Sequence, residues 1–114
     1  MNSYDKKIIN PILIEKIISL ETSLSKDELF DKCINVLEKS NFVSINYCKD
    51  IYKIKANYCK IFKHGIIEIE VRNLYGKNRL NIKVEAENNL YFKHPEKFIL
   101  SLFLDNLNIC YKEI

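Results

Sequence analysis

The chain has few of the residues that build phosphate-binding loops. Its 114 residues include only two glycines, Gly65 and Gly76. Neither GxGxxG nor GxxxxGK[ST] occurs, and both motifs need glycine where the backbone approaches a phosphate closely. The sequence therefore excludes nucleotide binding of those kinds, and we predict no cofactor.

Clustered cysteines and long apolar runs are also missing. The four cysteines are far apart and show no CxxC spacing: Cys33, Cys48, Cys59 and Cys110. This pattern predicts neither a zinc framework nor a disulfide scaffold, and reduced thiols are typical of a cytoplasmic protein. Near the start of the chain, Pro11 and Glu15 interrupt the apolar residues, so we predict neither a signal peptide nor a membrane span.

The length predicts one domain spanning residues 1–114, long enough to bury roughly 65% of its unfolded surface. Eighteen Lys and Arg residues stand against fifteen Asp and Glu. Because the totals nearly cancel, any electrostatic hypothesis depends on where the charges fall.

Three segments favour helices. Residues 11–20, PILIEKIISL, begin with proline and predict a short helix within an N-terminal helical extension, residues 1–21. The sequence SKDE at 25–28 is a capping box, which predicts a helix over 26–39. The sequence HPEKF places Pro95 at the first position of a final helix.

Between Phe42 and Glu87 the apolar period changes to two, which indicates four strands with one apolar and one polar face. The sequence therefore predicts an α+β two-layer sandwich in the order α-α-β-β-β-β-α. A four-stranded antiparallel meander would have the helices packed on one face, and residues 22–114 would form its α-β4-α core.

Turn residues give a predicted register for the meander. A Lys49-Asp50 loop would pair Tyr47 with Tyr52, a His64-Gly65 loop would pair Tyr58 with Val71, and a loop over 73–79 would pair Val71 with Leu80 and Glu68 with Lys83. We also predict a bulge at Lys60/Ile61. The repeated NYCK then puts Cys48 and Cys59 about 26 Å apart, too far to share a zinc ion.

This register gathers positive charge at one end of the sheet, where Asp50 is the only nearby acid. The cations there are Lys49, Lys53, Lys55, Arg72, Lys77 and Arg79. They form either a solvated polar face or a binding site for phospholipid headgroups, nucleic acid or an acidic protein segment. Both interpretations remain open from the residues alone.

The remaining polar residues do not indicate an active site. Glu68 and Glu70 share a strand face, but the register gives Glu68 a lysine partner on an open surface. His64 is expected in a tight turn and His94 just before a helix, and neither has a nucleophile with a third orienting group. We therefore predict that the chain is not an enzyme.

The segment TSLSKDELFDKCINVLEKSNF, followed by four strands and a helix, resembles the kinase-associated domain 1 of some protein kinases. The similarity continues at IEIEVRNL (67–74) and LNIKV (80–84). The resemblance implies a non-catalytic module that binds anionic membrane lipids or holds a kinase inactive, with Lys83 at a basic position. The chain is also similar to RWD-type modules, which would imply a docking subunit.

We predict a non-enzymatic interaction domain that binds an acidic membrane lipid or acidic protein surface through the basic end and Lys83. A nucleic-acid- or ribonucleoprotein-associated protein using the same lysines is the alternative. A third alternative is a structural subunit that docks on a protein partner through its N-terminal segment, with Ile14, Ile17 and Ile18 as contacts.

Overall fold

A computed structural model describes residues 13–60, 63–89 and 91–114 of the chain. In order, its elements are β1 (Leu13–Thr22), α1 (Lys26–Lys39), β2 (Val43–Cys48), a 3-10 turn (Lys49–Ile51), β3 (Lys53–Lys60), β4 (Lys63–Leu74), β5 (Lys77–Glu87), α2 (Pro95–Leu107) and β6 (Lys112–Glu113).

Within those residues the strands form one antiparallel sheet of six strands in the order β2-β3-β4-β5-β1-β6. Both helices contact each other and pack on the same face of the sheet. The other face carries no helix among the described residues, and we call it the open face. The α+β class with an antiparallel sheet is confirmed, whereas the predicted four strands and the order α-α-β-β-β-β-α are wrong.

From residue 13 onward the predicted N-terminal helix is a strand, while residues 1–12 of the predicted extension lie outside the described residues. β1 lies beside β5, with Ile18 opposite Ile82 and Leu20 opposite Leu80. Its alternation is hidden in the sequence because Lys16 stands on the helix-covered side while Leu13 and Ile17 stand on the open face. Apolar residues then recur at helix-like spacing, although the isoleucines favour a strand.

Both other helix predictions are confirmed. α1 spans Lys26–Lys39, and the Ser25 hydroxyl accepts a hydrogen bond of 3.2 Å from the Glu28 amide, as the capping box predicts. α2 begins at Pro95, with Glu96 in its first turn. In this turn a carboxylate is favoured by the positive end of the helix dipole.

The core lies between the helices and the covered face of the sheet. Its largest fully buried side chains come from both helices and from central strands: Phe30, Leu37, Ile99 and Phe103 from the helices, and Leu20, Ile67, Ile69, Leu80 and Ile82 from the strands. Burying one such side chain contributes roughly 1.5–3 kcal/mol. β1 therefore belongs to the core and is not an extension attached to it.

The predicted register is confirmed for β4 and β5, where Val71 lies opposite Leu80 and Glu68 opposite Lys83. It is wrong for β2 and β3, where Tyr47 lies opposite Ile54 because the connecting turn is longer than two residues. Tyr52 closes that turn in the left-handed region, at φ 52°.

The register is also wrong for β3 and β4, where Tyr58 lies opposite Gly65 and not Val71. Gly65 lies within β4, and α2 packs closely on it. A Cβ atom there would lie 2.5 Å from Ile99 Cδ1 and 2.9 Å from the Glu85 carbonyl oxygen. Glycine, which has no Cβ, leaves room for Ile99 at this position. The residue predicted to form a turn is therefore a strand residue that allows a helix to approach. The bulge predicted at Lys60/Ile61 falls partly on residue 61, outside the described residues.

Candidate functional site

The open face of the sheet forms a shallow groove of about 560 Å³. Its lining includes alternating charges from neighbouring strands and one exposed isoleucine: Lys53, Lys55, Glu68, Glu70, Lys83 and Ile17. This face also carries most of the cations that the sequence predicts as a site. The ion pairs of each cation therefore decide what the face can bind.

The two turns predicted at one end of the sheet do lie at the same end. The amide of Val71 on β4 donates to the carbonyl of Tyr52 beside the β2–β3 turn at 3.0 Å. β4 continues to Leu74, which pairs with Lys77 at the β4–β5 turn. The predicted cations from both turns are therefore close in the fold.

Lys49 is held by carboxylates of α1. Its Nζ lies 3.1 Å from Asp27 Oδ1 and 3.8 Å from Asp31 Oδ1. The same atom lies 4.8 Å from the centroid of the buried Phe30 ring. Two acids and an aromatic face thus surround this ammonium group, and its contacts connect the β2–β3 turn to α1.

Tyr52 completes this contact between the turn and α1. Its hydroxyl donates a 2.6 Å hydrogen bond to Asp27 Oδ1. This hydrogen bond and the nearby Lys49 lower the pKa of Asp27 below its ordinary value. The same carboxylate raises the pKa of Tyr52 and of Lys49, because it stabilises the protonated form of each.

Lys53 and Lys83 also face carboxylates. Lys53 Nζ lies 3.9 Å from Glu70, and Lys83 Nζ lies 3.0 Å from Glu85 and 3.4 Å from Glu15. Glu85, and then Glu15, raise the pKa of Lys83 by stabilising its ammonium form. The expectation that Asp50 is the only acid near the basic end is wrong, because α1, β1 and β4 bring further carboxylates to it.

Four other cations lie on neighbouring strands of the open face, and two of them, Lys77 and Arg79, share the carboxylate of Glu21. We call all four the basic corner: Arg72, Lys77, Arg79 and Lys112. Glu21 Oε1 lies 3.4 Å from Lys77 Nζ, and Glu21 Oε2 lies 3.7 Å from Arg79 Nε. Lys112 lies directly opposite Glu21 on the neighbouring strand.

The two arginines of the basic corner lie directly opposite each other on β4 and β5. Like charges in that position repel. Arg79 Nε is buried and has no hydrogen-bond acceptor among the described residues, since Glu21 is too far away for a hydrogen bond. Neither Arg72 nor Lys55, which lies opposite Glu68 on β4, has an ion pair within 4.0 Å in the described part of the chain.

A tight turn projects beside the basic corner. Tyr75 and Gly76 form the two-residue β4–β5 turn, with φ values of 55° and 80°. Such turns favour Asn-Gly because both residues need positive φ. Tyr75 takes this strained conformation although it is 97% exposed, so burial does not compensate for the strain.

The predicted docking residues are divided between the two faces. Ile18 is buried in the core, and Ile14 is half-buried on the same side, opposite Ala86. Ile17 is 60% exposed on the open face and lines the groove. The three predicted docking residues therefore do not share one surface: Ile18 lies in the core, Ile14 is half-buried on the covered side, and Ile17 is exposed on the open face.

Sequence reasoning missed a contact between a cysteine and a histidine. Cys59 and His64 are cross-strand partners, and Cys59 Sγ lies 3.3 Å from His64 Nδ1. The wrong β3–β4 register placed His64 in a turn and concealed this pair. His94 does precede a helix, and its Nδ1 lies 3.5 Å from Glu96 Oε2.

The repeated NYCK does not form a metal site. Cys48 lies opposite Lys53, six positions from Cys59 along β3, which corresponds to about 20 Å. Across residues 13–60, 63–89 and 91–114, no three His, Cys, Asp or Glu side chains gather in a way that suits a metal ion. In the same ranges no helix has the length and apolar character needed to cross a membrane.

A scan against protein-family models finds no match, and a search of curated proteins finds no relative.

Proposed function

We propose that this chain is a non-enzymatic interaction domain that binds an anionic surface through the basic corner. The surface is either a membrane rich in acidic lipids or an acidic face of a protein. Clustered cations on an exposed surface attract such partners over a distance of about a Debye length, roughly 10 Å at moderate salt.

The observation that carries the proposal is the uneven distribution of carboxylates. Lys49 and Lys83 each lie within 4 Å of two carboxylates. In contrast, Lys77 and Arg79 share Glu21, and Arg72 lies opposite Arg79 without an ion pair in the described residues. An anion at the basic corner would relieve this repulsion, whereas an anion near Lys49 would meet two aspartates.

Tyr75 adds an exposed aromatic ring beside these charges. Asparagine would fit the left-handed position with less strain, so stability alone does not explain a tyrosine there. An exposed tyrosine provides contact area at an interface with a protein or a lipid headgroup region. We therefore include Tyr75 in the proposed binding surface.

Co-sedimentation with vesicles tests the proposal. Purified protein is mixed with vesicles of phosphatidylcholine alone or with acidic phosphatidylserine, at low and moderate salt. We expect binding only to the acidic vesicles, and weaker binding at higher salt. Replacing Arg72 and Arg79 by glutamine should weaken the binding about 30-fold, since each charge near such a surface is worth about 1 kcal/mol.

A matched control separates position from net charge. The Lys49→Gln/Lys83→Gln variant loses the same two charges, but from side chains that already face carboxylates. We expect its affinity to fall less than about three-fold. Equal losses in both variants would overturn the basic corner as the site.

The same variants distinguish lipid from protein as the source of the anion. If vesicles do not bind, polyglutamate is titrated in their place and should show the same difference between the two variants. Binding to neither probe at low salt would overturn the proposal. Tight binding to single-stranded RNA alone would instead support the nucleic-acid alternative.

A further inference from the structure

The β3–β4 pairing places a nucleophile beside a base at the end of the sheet opposite the basic corner. Cys59 and His64 lie directly across from each other, with Cys59 Sγ 3.3 Å from His64 Nδ1. Both side chains are exposed. A thiol within hydrogen-bond reach of an imidazole can transfer its proton as it attacks an electrophile.

Positive charge lies on the next pair of cross-strand residues. Lys60 is the partner of Lys63 there, and Lys60 is exposed. Lys63 Nζ is fixed 4.3 Å from the Phe98 ring centroid. Successive residues of a strand point to opposite faces, and Phe98 belongs to α2, so these ammonium groups project on the helix-covered side and not beside the thiol.

Among the described residues, the other cysteines lack the combination of exposure and a histidine partner that Cys59 has. Cys33 is buried in α1, and this burial raises the pKa of its thiol to about 12. Cys48 and Cys110 are exposed, but no histidine contact is found for either among the described residues. The chain therefore contains two exposed thiols that can serve as internal references for Cys59.

We infer that the Cys59/His64 pair is a site of thiol modification, and that it reacts with small disulfides such as glutathione disulfide. His64 takes the Cys59 proton as the sulfur attacks one sulfur of the disulfide. The Cys59–sulfur bond forms, the disulfide bond breaks, and the leaving thiolate takes up a proton from the imidazolium. The products are a mixed disulfide on Cys59 and one free thiol, without any other oxidant.

The inference does not depend on the proposed function. Its site is formed by different residues at the other end of the sheet, and its test measures a covalent adduct. Failure of vesicle binding would leave it unchanged.

The test measures how fast each cysteine reacts in the folded protein. Reduced protein is incubated with excess glutathione disulfide at neutral pH, quenched with acid at intervals, and digested for peptide mass spectrometry. We expect Cys59 to form the mixed disulfide at least about ten-fold faster than Cys48 and Cys110, as general-base assistance predicts. Cys33 should react more slowly than the exposed cysteines.

A His64→Gln variant separates base assistance from simple exposure. Glutamine keeps a polar side chain on the strand but removes the base. We expect the Cys59 rate to fall to that of Cys48, with the Cys48 and Cys110 rates unchanged. The inference is overturned if Cys59 reacts no faster than Cys48 in the native chain, or if the substitution leaves its rate unchanged.

Discussion

Lys49 and Arg79 both belong to the predicted basic end, but their surroundings differ. Lys49 lies between Asp27 and Asp31 with its ammonium group over the Phe30 ring. Arg79 shares Glu21 with Lys77 and lies opposite Arg72. Two cations at the same end of a sheet can thus differ in role: one holds the fold together and the other remains available to a partner, depending on which elements bring carboxylates to each.

The largest effect on stability is expected from a substitution at Phe30, whose ring lies under the Lys49 ammonium group. This ring is buried and makes edge contacts with Tyr47 and Tyr52 at centroid distances of 5.9 and 5.5 Å. Phe30→Ala should lower the free energy of unfolding by about 3–5 kcal/mol, measured by urea denaturation, because it leaves a cavity under the turn.

Phe30→Leu is the milder companion, for which we expect a loss of roughly 1–2 kcal/mol. This variant should remain folded and bind acidic vesicles like the unaltered protein. Weakened vesicle binding by the folded leucine variant would show that packing around Lys49 affects binding at the basic corner.

A substitution at the turn beside the basic corner should change the free energy of unfolding less, and should raise it. Tyr75→Asn should raise the free energy of unfolding by roughly 0.5–1 kcal/mol, because asparagine adopts the left-handed conformation with less strain. The same variant should bind acidic vesicles more weakly. A tyrosine-to-asparagine change that leaves both the urea midpoint and the binding unaltered would contradict the role proposed for Tyr75.

The smallest effect is expected from Asp27→Asn and depends on pH. The pKa of Asp27 is below its ordinary value of 3.8 in the folded protein. Its contribution to stability is therefore present above that value and is lost as the pH falls through the lower folded pKa. The thermal midpoint of the variant should be below that of the unaltered protein at pH 6, and the gap should narrow by pH 3.

Asp31→Asn is the matched control for that measurement, because Asp31 lies near Lys49 at 3.8 Å without the Tyr52 hydrogen bond. We expect a smaller gap at pH 6. If the difference in thermal midpoint between Asp27→Asn and the unaltered protein is the same at pH 6 and pH 3, the ionised form of Asp27 does not make the proposed contribution.

Local signals in the sequence predicted α1, α2 and the β4–β5 register correctly. The Ser25 capping box and Pro95 each act within a few residues of themselves, so no knowledge of distant contacts is needed to interpret them. Alternation along β4 and β5 likewise fixed which residues face the core. These elements were predictable because their local preferences agree with their tertiary environment.

Gly65 shows why other features were not predictable. A glycine after a histidine favours a turn, but here the glycine accommodates Ile99 from a helix more than thirty residues away in sequence. A turn predicted at this point gives the wrong β3–β4 register, in which Cys59 and His64 are not cross-strand partners. The acids around Lys49 were missed for a related reason, because they come from α1 and not from the neighbouring strands.

The position of β1 has a consequence for how the sheet is assembled. Leu20 lies opposite Leu80 on one side and Glu113 on the other, so β1 joins strands that are formed much later in the sequence. Pairings between distant segments form slowly, because a long stretch of chain must first be brought together. The hairpins from β2 to β5 can form from neighbouring residues. We therefore expect β1 to be the last major strand to enter the sheet.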